Sequence, residues 1–343
     1  MSRTIQVGLI GFGLSGRYFH APFLTVNPHF KLAKVVERHR NEAEAFDPTV
    51  KTVRSHEDLL NDPTIDLIIV GSPNDTHFAF AKAALQAGKH VLIEKPFANS
   101  LEEARELLDL AQQKGLVAMP YQNRRYDADF RTIRQLLDEN RLGEVVEFES
   151  HYDRYRPEIL DSWKEKDPQG GGNLFNLGPH LIDQAIALFG LPEAVSGDVR
   201  IVRKNGVLDD YFDVRLSYAD KRVILKSSML AVDNSLRYII HGTKGSFIKH
   251  GLDIQEETQR KNILPNTPDW GAEPASQYGT LTTPEGRSTV PSLPGNYHLL
   301  YDNLYRAIVG EIPPEVTPEQ ILAVMRIIEL ATESSQTRKV LAF

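Results

Sequence analysis

The chain has 343 residues, a formal net charge of −7 and no cysteine. This length exceeds what one hydrophobic core usually serves, so two domains are expected. The acidic balance argues against a nucleic-acid partner, and the lack of cysteine excludes disulfides, thiolate metal sites and cysteine nucleophiles. No apolar run approaches the ~20 residues of a membrane span, and the N-terminal apolar run has no cleavage site, so we expect a cytoplasmic protein with no membrane partner.

Up to about residue 120, short apolar runs alternate with helix-type patterns. One helix start is indicated by Ser100 followed by Glu103, a capping box that precedes an apolar stripe. Apolar strands enclosed by helices on both faces are typical of a parallel, doubly wound sheet. We therefore expect an α/β protein whose first domain, residues 1–121, has the Rossmann arrangement. Its predicted strands are Ile5–Ile10, Phe30–Glu37, Leu67–Val70, His90–Ile93 and Val117–Met119.

After residue 121 the pattern changes. Alternating apolar and polar residues at 212–218 and 223–229 predict antiparallel strands with one less buried face. Residues 255–295, rich in Pro, Gly, Thr and Gln, predict long loops. The second domain, residues 122–343, is therefore expected to be an α+β domain with a large, mostly antiparallel open sheet. Its other predicted elements are a helix at Phe130–Leu142, a strand at Glu144–Arg156, a helix after Gly170–Gly172 and a last helix at Pro318–Ser335.

A glycine-rich loop follows the first predicted strand and leads into a helix. Gly11, Gly13 and Gly16 form the pattern GxGxxG. The first glycine allows a tight turn, the second lets the backbone approach a pyrophosphate, and the third permits close packing of helix and strand. In this context the pattern indicates a dinucleotide cofactor. The residues expected to contact it here are Gly11, Phe12, Gly13, Leu14, Ser15 and Gly16.

An acidic residue at the end of the second predicted strand bears on the choice of cofactor. Glu37 stands about 20 residues after the glycine loop, where a carboxylate can accept hydrogen bonds from the adenosine ribose. A 2′-phosphate there would be repelled, which favours NAD over NADP. Arg38 and Arg40 follow directly and could pair with that phosphate. NAD is the favoured cofactor and NADP the alternative.

Several segments resemble the Gfo/Idh/MocA family, the relatives of glucose–fructose oxidoreductase and inositol dehydrogenase. The resemblance covers essentially the whole chain, and Glu-Lys-Pro at the end of a buried strand is its most specific feature. The segments that carry it are the glycine loop, Ser72-Pro-Asn-Asp-Thr-His77, Glu94-Lys-Pro96 and Gly170-Gly-Gly with His180. Three more look most like the scyllo-inositol dehydrogenase branch, namely Asn123-Arg-Arg, Tyr152-Asp-Arg-Tyr-Arg-Pro157 and Asn176-Leu-Gly-Pro-His-Leu-Ile-Asp-Gln184.

The resemblance implies hydride transfer between a nicotinamide and a hydroxyl-bearing carbon of a sugar, polyol or cyclitol. It implies a homodimer or homotetramer that forms through the C-terminal sheet. It also places the lysine at position 95 beside nicotinamide and substrate, and completes the polar site with an aspartate and a histidine four residues later. Here these two positions hold Asn176 and His180. The residues that it assigns to the border of the cofactor are Ser72, Pro73, Asn74, His77, Glu94 and Lys95.

Oxidation of an alcohol requires a base for the hydroxyl proton, and histidine has the most suitable intrinsic pKa. We assign His180 as acid/base and Lys95 as the group that stabilises the alkoxide. The alternatives are a structural histidine and a surface lysine. Asn176 shares a helix face with His180. Asp183, three residues beyond His180, is either a substrate ligand or a helix-surface charge, and the second is slightly favoured.

The predicted strand 144–156 presents a second set of candidates. By period 2, Val146, Phe148 and Ser150 share one face that Tyr152 continues, and we expect that face to be buried. Arginines at its end would donate to substrate hydroxyls or a carboxylate. The alternative is a rim salt bridge with Asp153 or Glu158. The candidate substrate ligands are Arg154 and Arg156 here, and Asn123 and Arg124 after the last Rossmann strand.

No metal site is expected, because the other histidines considered show no metal-ligand spacing; they are His20, His56, His151, His241 and His298. The leading function is a polyol or inositol dehydrogenase, or the corresponding ketose reductase. A cofactor-binding regulator is the first alternative, and a biliverdin reductase or sugar-nucleotide dehydrogenase the second. Asn176 carries no charge to support the imidazolium of His180. We therefore expect slow oxidation and better reduction, or a substrate that supplies its own carboxylate.

Overall fold

The computed structural model describes residues 3–168 and 170–343, and it places six parallel strands of this range in one sheet. The strand order is β3-β2-β1-β4-β5-β6. All four residues of β4 are 0% exposed, as expected for a strand covered by helices on both faces. The strands are β1 (Ile5–Ile10), β2 (Phe30–Val36), β3 (Lys51–Val53), β4 (Leu67–Val70), β5 (His90–Ile93) and β6 (Ala118–Pro120).

Helices connect these strands. The backbone N–H of Glu103 donates to Ser100 Oγ at 3.1 Å, which confirms the predicted helix start, and Gly115 ends that helix with φ +64°. A π-helical segment, Ser15–His20, precedes the first α-helix. The α-helices are α1 (Ala21–Val26), α2 (Glu42–Phe46), α3 (Glu57–Leu60), α4 (His77–Gln86) and α5 (Leu101–Lys114).

Nine further strands of the described range form a second sheet, in the order β14-β13-β12-β11-β7-β10-β9-β8-β15. Its neighbours are antiparallel except β7 and β10, which run parallel. The mostly antiparallel open sheet is therefore confirmed. Its strands are β7 (Val145–His151), β8 (Ala194–Arg200), β9 (Tyr211–Ser217), β10 (Arg222–Ser228), β11 (Leu236–Gly242), β12 (Ser246–His250), β13 (Gly279–Thr283), β14 (Gly286–Val290) and β15 (Leu341–Ala342).

The hydrophobic core of the second unit of secondary structure lies between one face of the nine-stranded sheet and the helices that pack on it. Phe148, Phe212 and Leu225 point from the strands into a buried cluster that includes Leu181 of the long helix α8. Burial of this apolar surface is the main force that holds helix and sheet together. The helices of the C-terminal part are α6 (Ala128–Asp138), α7 (Trp163–Lys166), α8 (Asn173–Phe189), α9 (Gln255–Arg260), α10 (His298–Ile308) and α11 (Pro318–Thr337).

Three predictions of secondary structure need correction. Strand β3 was not expected, because only Val53 of its three residues is buried. Residues 255–295 are not only loops, since they contain α9 and the hairpin β13–β14. The hairpin was missed because its strands are mostly glycine, threonine and serine and lack alternating apolar residues. The predicted strand 144–156 ends as β7 at His151, and a single bridge joins Tyr155 to Leu230.

The face prediction for β7 was wrong at its first position. Val146 is 47% exposed, whereas Val145 is buried. The pairing with β11 explains this, because His241 pairs with Glu147 while the next residue, Gly242, pairs with Val145. Val146 is the extra residue of a β-bulge, which breaks the alternation of faces.

The chain divides into two compact units. The first contains residues up to Asn123 together with 255–270 and 297–321, and the second contains 124–254, 271–296 and 322–343. The two later segments join the first unit through aromatic contacts. Tyr301 stacks on Phe23 with ring centroids 5.4 Å apart, and Trp270 meets Phe23 edge-on. A simple division at residue 121 does not anticipate this return of the chain. Within the part of the chain that the structure describes, no helix combines the length and hydropathy needed to cross a bilayer.

Gly16→Ala is expected to destabilise the protein, because its Cβ would lie 2.4 Å from the carbonyl oxygen of Gly11. Backbone atoms cannot move aside as a flexible side chain can, so we expect a loss of about 1–3 kcal/mol in the free energy of unfolding. Gly13→Ala is the matched control, since nothing lies within 4 Å of the Cβ that it would add. Urea unfolding followed by circular dichroism measures both, and equal stabilities would contradict the packing argument.

Candidate active site

The carboxyl ends of β1, β4 and β5 meet at one edge of the parallel sheet. The order of the strands reverses between β1 and β4, and ligands of open α/β sheets bind at such a point. Backbone hydrogen bonds join the strand ends there, with Gly71 N–H donating to Ile10 O at 3.0 Å. Three segments singled out in the sequence follow these strands, namely Gly11–Gly16, Ser72–His77 and Glu94–Pro96.

The glycine loop has a shape that fits a pyrophosphate. Gly11 has φ +93°, which a glycine adopts without strain. The side of Gly13 where a Cβ would stand is open, so its backbone can be approached closely. Around it, Phe12 is buried with its ring edge against Phe46, while Leu14 is exposed. These residues fit the dinucleotide that a Rossmann domain implies.

Glu94 connects the glycine loop with the backbone of Lys95. Ser15 Oγ donates to Glu94 Oε1, His20 Nε2 lies 3.2 Å from the same oxygen, and the Lys95 N–H donates to Glu94 Oε2 at 3.2 Å. Burial by itself would raise the pKa of Glu94. His20, Ser15 and the charge of Lys95 outweigh burial and lower that pKa to about 2. Glu94 is therefore an ionised, buried carboxylate with three partners.

Sequence reasoning set His20 aside, and the structure brings it into this site. The ring is fully buried, and its Nδ1 lies 2.9 Å from Tyr301 Oη. Tyr301 in turn donates to Phe19 O at 2.8 Å. The only signal in the sequence is a histidine one turn after the glycine loop. Its partner Tyr301 lies 281 positions later, so the contact could not be predicted.

His77 joins two of the loops instead of pointing away from the sheet. Its Nδ1 lies 2.8 Å from Pro96 O and its Nε2 lies 3.0 Å from Ser72 O. Burial lowers the pKa of His77. In the same loop, Ser72 Oγ hydrogen-bonds to Thr76 Oγ1, Pro73 is exposed and Asn74 is buried. Both nitrogens of His77 are engaged by the protein itself, so this histidine shapes the loops that flank the glycine loop.

Glu37 is neither a solvated charge nor an open carboxylate. It is 7% exposed, and its two oxygens accept the N–H groups of Glu42 and Ala43 at 3.2 and 2.9 Å. The carboxylate thus caps the first turn of α2. Arg38 is exposed and forms no ion pair with any described residue, whereas Arg40 donates to Glu42 at 2.9 Å.

The N-terminal half of α8 carries Asn176 and His180. Asn176 Nδ2 donates to Gly172 O at 2.6 Å, a bond back to the preceding turn. His180 is 6% exposed and lies one turn further along the same helix. Asp209 holds the start of α8, since its Oδ2 accepts the Leu174 N–H at 2.7 Å, and burial raises the pKa of Asp209 to about 6.

Asp183 is not the helix-surface charge that the sequence favoured. It is 1% exposed and accepts two hydrogen bonds from Arg125, from Nε at 2.8 Å and from Nη2 at 2.7 Å. A buried carboxylate needs such a partner, and the planar guanidinium supplies a bidentate one. Sequence spacing could not identify this partner, because Arg125 is 58 positions away.

Arginines surround the ring of Tyr152 in the second unit. The guanidinium carbons of Arg154, Arg237 and Arg124 lie 5.2, 5.3 and 5.8 Å from its centroid. Arg154 is half-buried, and Arg156 is exposed.

The two acidic residues proposed as rim partners of these arginines lie as follows. Asp153 directs its carboxylate to His151, 3.3 Å away, and to the Ser228 N–H. The backbone carbonyl of Glu158 accepts a hydrogen bond from Arg203.

Asn123 in the first unit is buried. No group of three metal-ligating side chains occurs in residues 3–168 or 170–343.

Comparisons with known proteins match both parts of the chain. The NAD-binding Rossmann fold of the oxidoreductase family GFO_IDH_MocA matches residues 5–122, and the C-terminal α/β domain of that family matches residues 134–343. The uncharacterised oxidoreductase YdgJ of Escherichia coli is 45% identical over 99% of this chain and 99% of its own length. The scyllo-inositol 2-dehydrogenase (NADP(+)) IolW of Bacillus subtilis is 39% identical over 98% of this chain and 95% of its own.

A solved structure agrees with this assignment. The oxidoreductase yvaA from Bacillus subtilis superposes with a TM-score of 0.97 at 38% identity, covering 100% of this chain and 99% of that one. The fold, the glycine loop and the matches over nearly the full length lead to one conclusion: the chain belongs to the Gfo/Idh/MocA family of oxidoreductases and has an NAD-binding Rossmann fold.

Proposed function

We propose that this oxidoreductase transfers a hydride between a nicotinamide cofactor and a hydroxyl-bearing carbon of a cyclitol or sugar. One observation carries the proposal. The Lys95 backbone and the Ser15 side chain bind the same carboxylate, that of Glu94. The lysine thus follows β5 at the edge of the sheet where the glycine loop lies, which supports the proposal that its ammonium acts beside a bound dinucleotide.

The chemistry assigned to the side chains is proton handling. When bound, the nicotinamide supplies the hydride acceptor or donor at its C4 atom. Lys95 stabilises the alkoxide that forms as the hydroxyl loses its proton, and His180 accepts that proton in oxidation and returns it in reduction. A buried imidazole suits this role because its intrinsic pKa lies near neutrality.

The substrate class rests on the donors available and on the named relative. The half-buried guanidinium of Arg154 next to Tyr152 offers N–H donors in a planar arrangement, which suits the hydroxyls of a polyhydroxylated ring. Asn123 adds an amide. IolW, which carries the name scyllo-inositol 2-dehydrogenase, is similar over nearly the whole chain. The direct test is a screen of inositols and aldoses with each cofactor, followed by absorbance of the reduced nicotinamide. No turnover of any cyclitol or sugar would overturn the substrate class.

Lys95→Ala and His180→Ala are each expected to lower kcat by about 10²–10⁴-fold, the range for a positioned acid or base. Cofactor affinity measured by calorimetry should change little for His180→Ala. Lys31→Ala and His250→Ala are the matched controls, since both residues are exposed on strands. Turnover within a few-fold of wild type in either test variant would remove that residue from the mechanism.

For the cofactor we propose NADP, against the preference that Glu37 suggested. Both oxygens of Glu37 already accept N–H groups of α2, which offsets its charge and occupies its best acceptor directions. Arg38 follows it with an exposed guanidinium that can pair with a 2′-phosphate. The relative IolW is named as NADP-dependent, which agrees with this proposal.

Arg38→Ala should weaken NADP binding by about tenfold or more while leaving NAD binding nearly unchanged, because a charge-assisted hydrogen bond contributes ~1.5–3 kcal/mol. Arg40→Ala is the comparison variant, and its smaller effect is expected because Glu42 already engages Arg40. Calorimetric titration with both cofactors decides the matter. Tighter binding of NAD than of NADP by the wild-type protein would contradict this proposal and would indicate that Glu37 determines the cofactor preference.

Asn176→Asp tests whether residue 176 senses the proton on His180. An added carboxylate favours the imidazolium, so the pH at which His180 titrates rises by about one unit or more. Oxidation needs the neutral ring, and its rise in kcat/KM should move to higher pH. Reduction needs the protonated ring and should persist to higher pH. Profiles of kcat/KM in both directions measure this shift. Unchanged profiles would make Asn176 a structural residue of the helix, and Lys95 the better base.

We also propose that the protein forms a homodimer or homotetramer through the second sheet, as the family resemblance implies. Light scattering of the purified protein measures the number of subunits.

A further inference from the structure

A buried chain of contacts runs through the first unit, from Ser15 to Glu94, His20, Tyr301 and the carbonyl of Phe19. His20 and Tyr301 are both 0% exposed. The mechanism proposed above uses Lys95 but gives no role to His20 or Tyr301. A buried histidine that touches an ionised carboxylate beside the glycine loop calls for a physical explanation.

The protons in this chain can be assigned from the acceptors. Phe19 O can only accept, so Tyr301, 2.8 Å away, uses its single proton there and accepts from His20 Nδ1. On the other side of the ring, Nε2 lies 3.2 Å from Glu94 Oε1, within ion-pair distance but without the geometry of a hydrogen bond. The geometry therefore assigns one proton to Nδ1 and leaves Nε2 facing the carboxylate, where a second proton would offset its charge.

The groups around this pair reinforce its isolation from water. The Tyr121 ring meets the His20 ring with centroids 4.5 Å apart, and Tyr121 Oη also donates to Phe19 O. The charge of Lys95 acts on Glu94 from the following residue, and Glu94 acts on the nearby His77. A carboxylate in such surroundings is costly unless a positive charge lies against it.

We propose that His20 is a positioning residue whose imidazolium offsets the charge of Glu94 and so fixes Ser15 of the glycine loop and the backbone of Lys95 in one arrangement. The proposal rests on the proposed function, because it takes the edge next to Lys95 as the cofactor side. The proposal also predicts the net charge near a bound nicotinamide. With His20 present, the pair of His20 and Glu94 contributes little net charge, whereas without His20 the charge of Glu94 is not offset.

The oxidised nicotinamide ring is a cation and the reduced ring is neutral, so an uncovered Glu94 would favour the oxidised form. We expect His20→Asn to raise the ratio of Kd for NADPH to Kd for NADP⁺ by about fivefold. The reason is the Coulomb attraction between the Glu94 carboxylate and the nicotinamide cation, which water screens less in a partly buried site. Glu94→Gln should move this ratio in the opposite direction. The double variant has no charge at either position, and its ratio should return to near the wild-type value.

The experiment is calorimetric titration of NADP⁺ and NADPH against the wild-type protein, both single variants and the double variant, with circular dichroism as a check on folding. His29→Asn is the matched control. The His29 ring stacks on Tyr305, which lies on α10 like Tyr301, with ring centroids 4.0 Å apart, and it has no contact with Glu94. A purely structural role would weaken both nucleotides by one common factor, with no recovery in the double variant, and that result would overturn the proposal. Unchanged affinities would overturn it too.

A second measurement needs no variant to fold. In ¹⁵N-labelled wild-type protein at pH 6, free of cofactor, the His20 ring should show protons on both nitrogens and contacts to Tyr121 and Tyr301. A singly protonated ring would overturn the proposal. Neither measurement depends on a substrate. Loss of turnover in Lys95→Ala tests the proposed function separately, so the two ideas can fail independently.

Discussion

The charge of one buried carboxylate constrains the whole edge of the first sheet. Glu94 lies at the carboxyl end of β5, where burial alone would neutralise it, yet it stays ionised because His20, Ser15 and Lys95 surround it. Ser15 and His20 belong to the segment that follows the glycine loop, and Lys95 follows β5, so satisfying the charge also fixes the geometry of these segments. The sheet brings the strand ends together, and the Glu94 carboxylate holds the glycine loop and the segment after β5 against each other by hydrogen bonds.

Local patterns predicted the first unit well, because its signals are local. The apolar runs of β1, β4 and β5 have the same bounds in the sequence analysis and in the structure. Their strength comes from burial on both faces, which leaves no polar residue to interrupt the run. The long α8 and α11 were also predicted from glycine and apolar spacing. Elements of mixed exposure, such as β3 and the hairpin β13–β14, lack that pattern and were missed.

The candidate site was harder to predict than the fold, because its contacts join distant positions. Glu37 matched the spacing of a ribose ligand, but its role as a cap depends on the chain turning back at Glu42. Asp183 looked like a surface charge because nothing near it in sequence reveals Arg125. His20 had no pattern at all. In each case a buried charge found its partner through the tertiary fold, which spacing rules do not encode.

The return of residues 297–321 to the first unit has a consequence for how the protein is made. Phe23 is fully buried, and Tyr301 on α10 covers it. When the ribosome has released the six strands of the first sheet, this aromatic surface is still bare, and His20 has no Tyr301 to meet. The nucleotide-binding half therefore reaches its final packing only after most of the second half has been synthesised. A fragment that ends before α10 would therefore leave the aromatic surface around Phe23 without its Tyr301 cover, and exposed apolar surface of this kind favours aggregation.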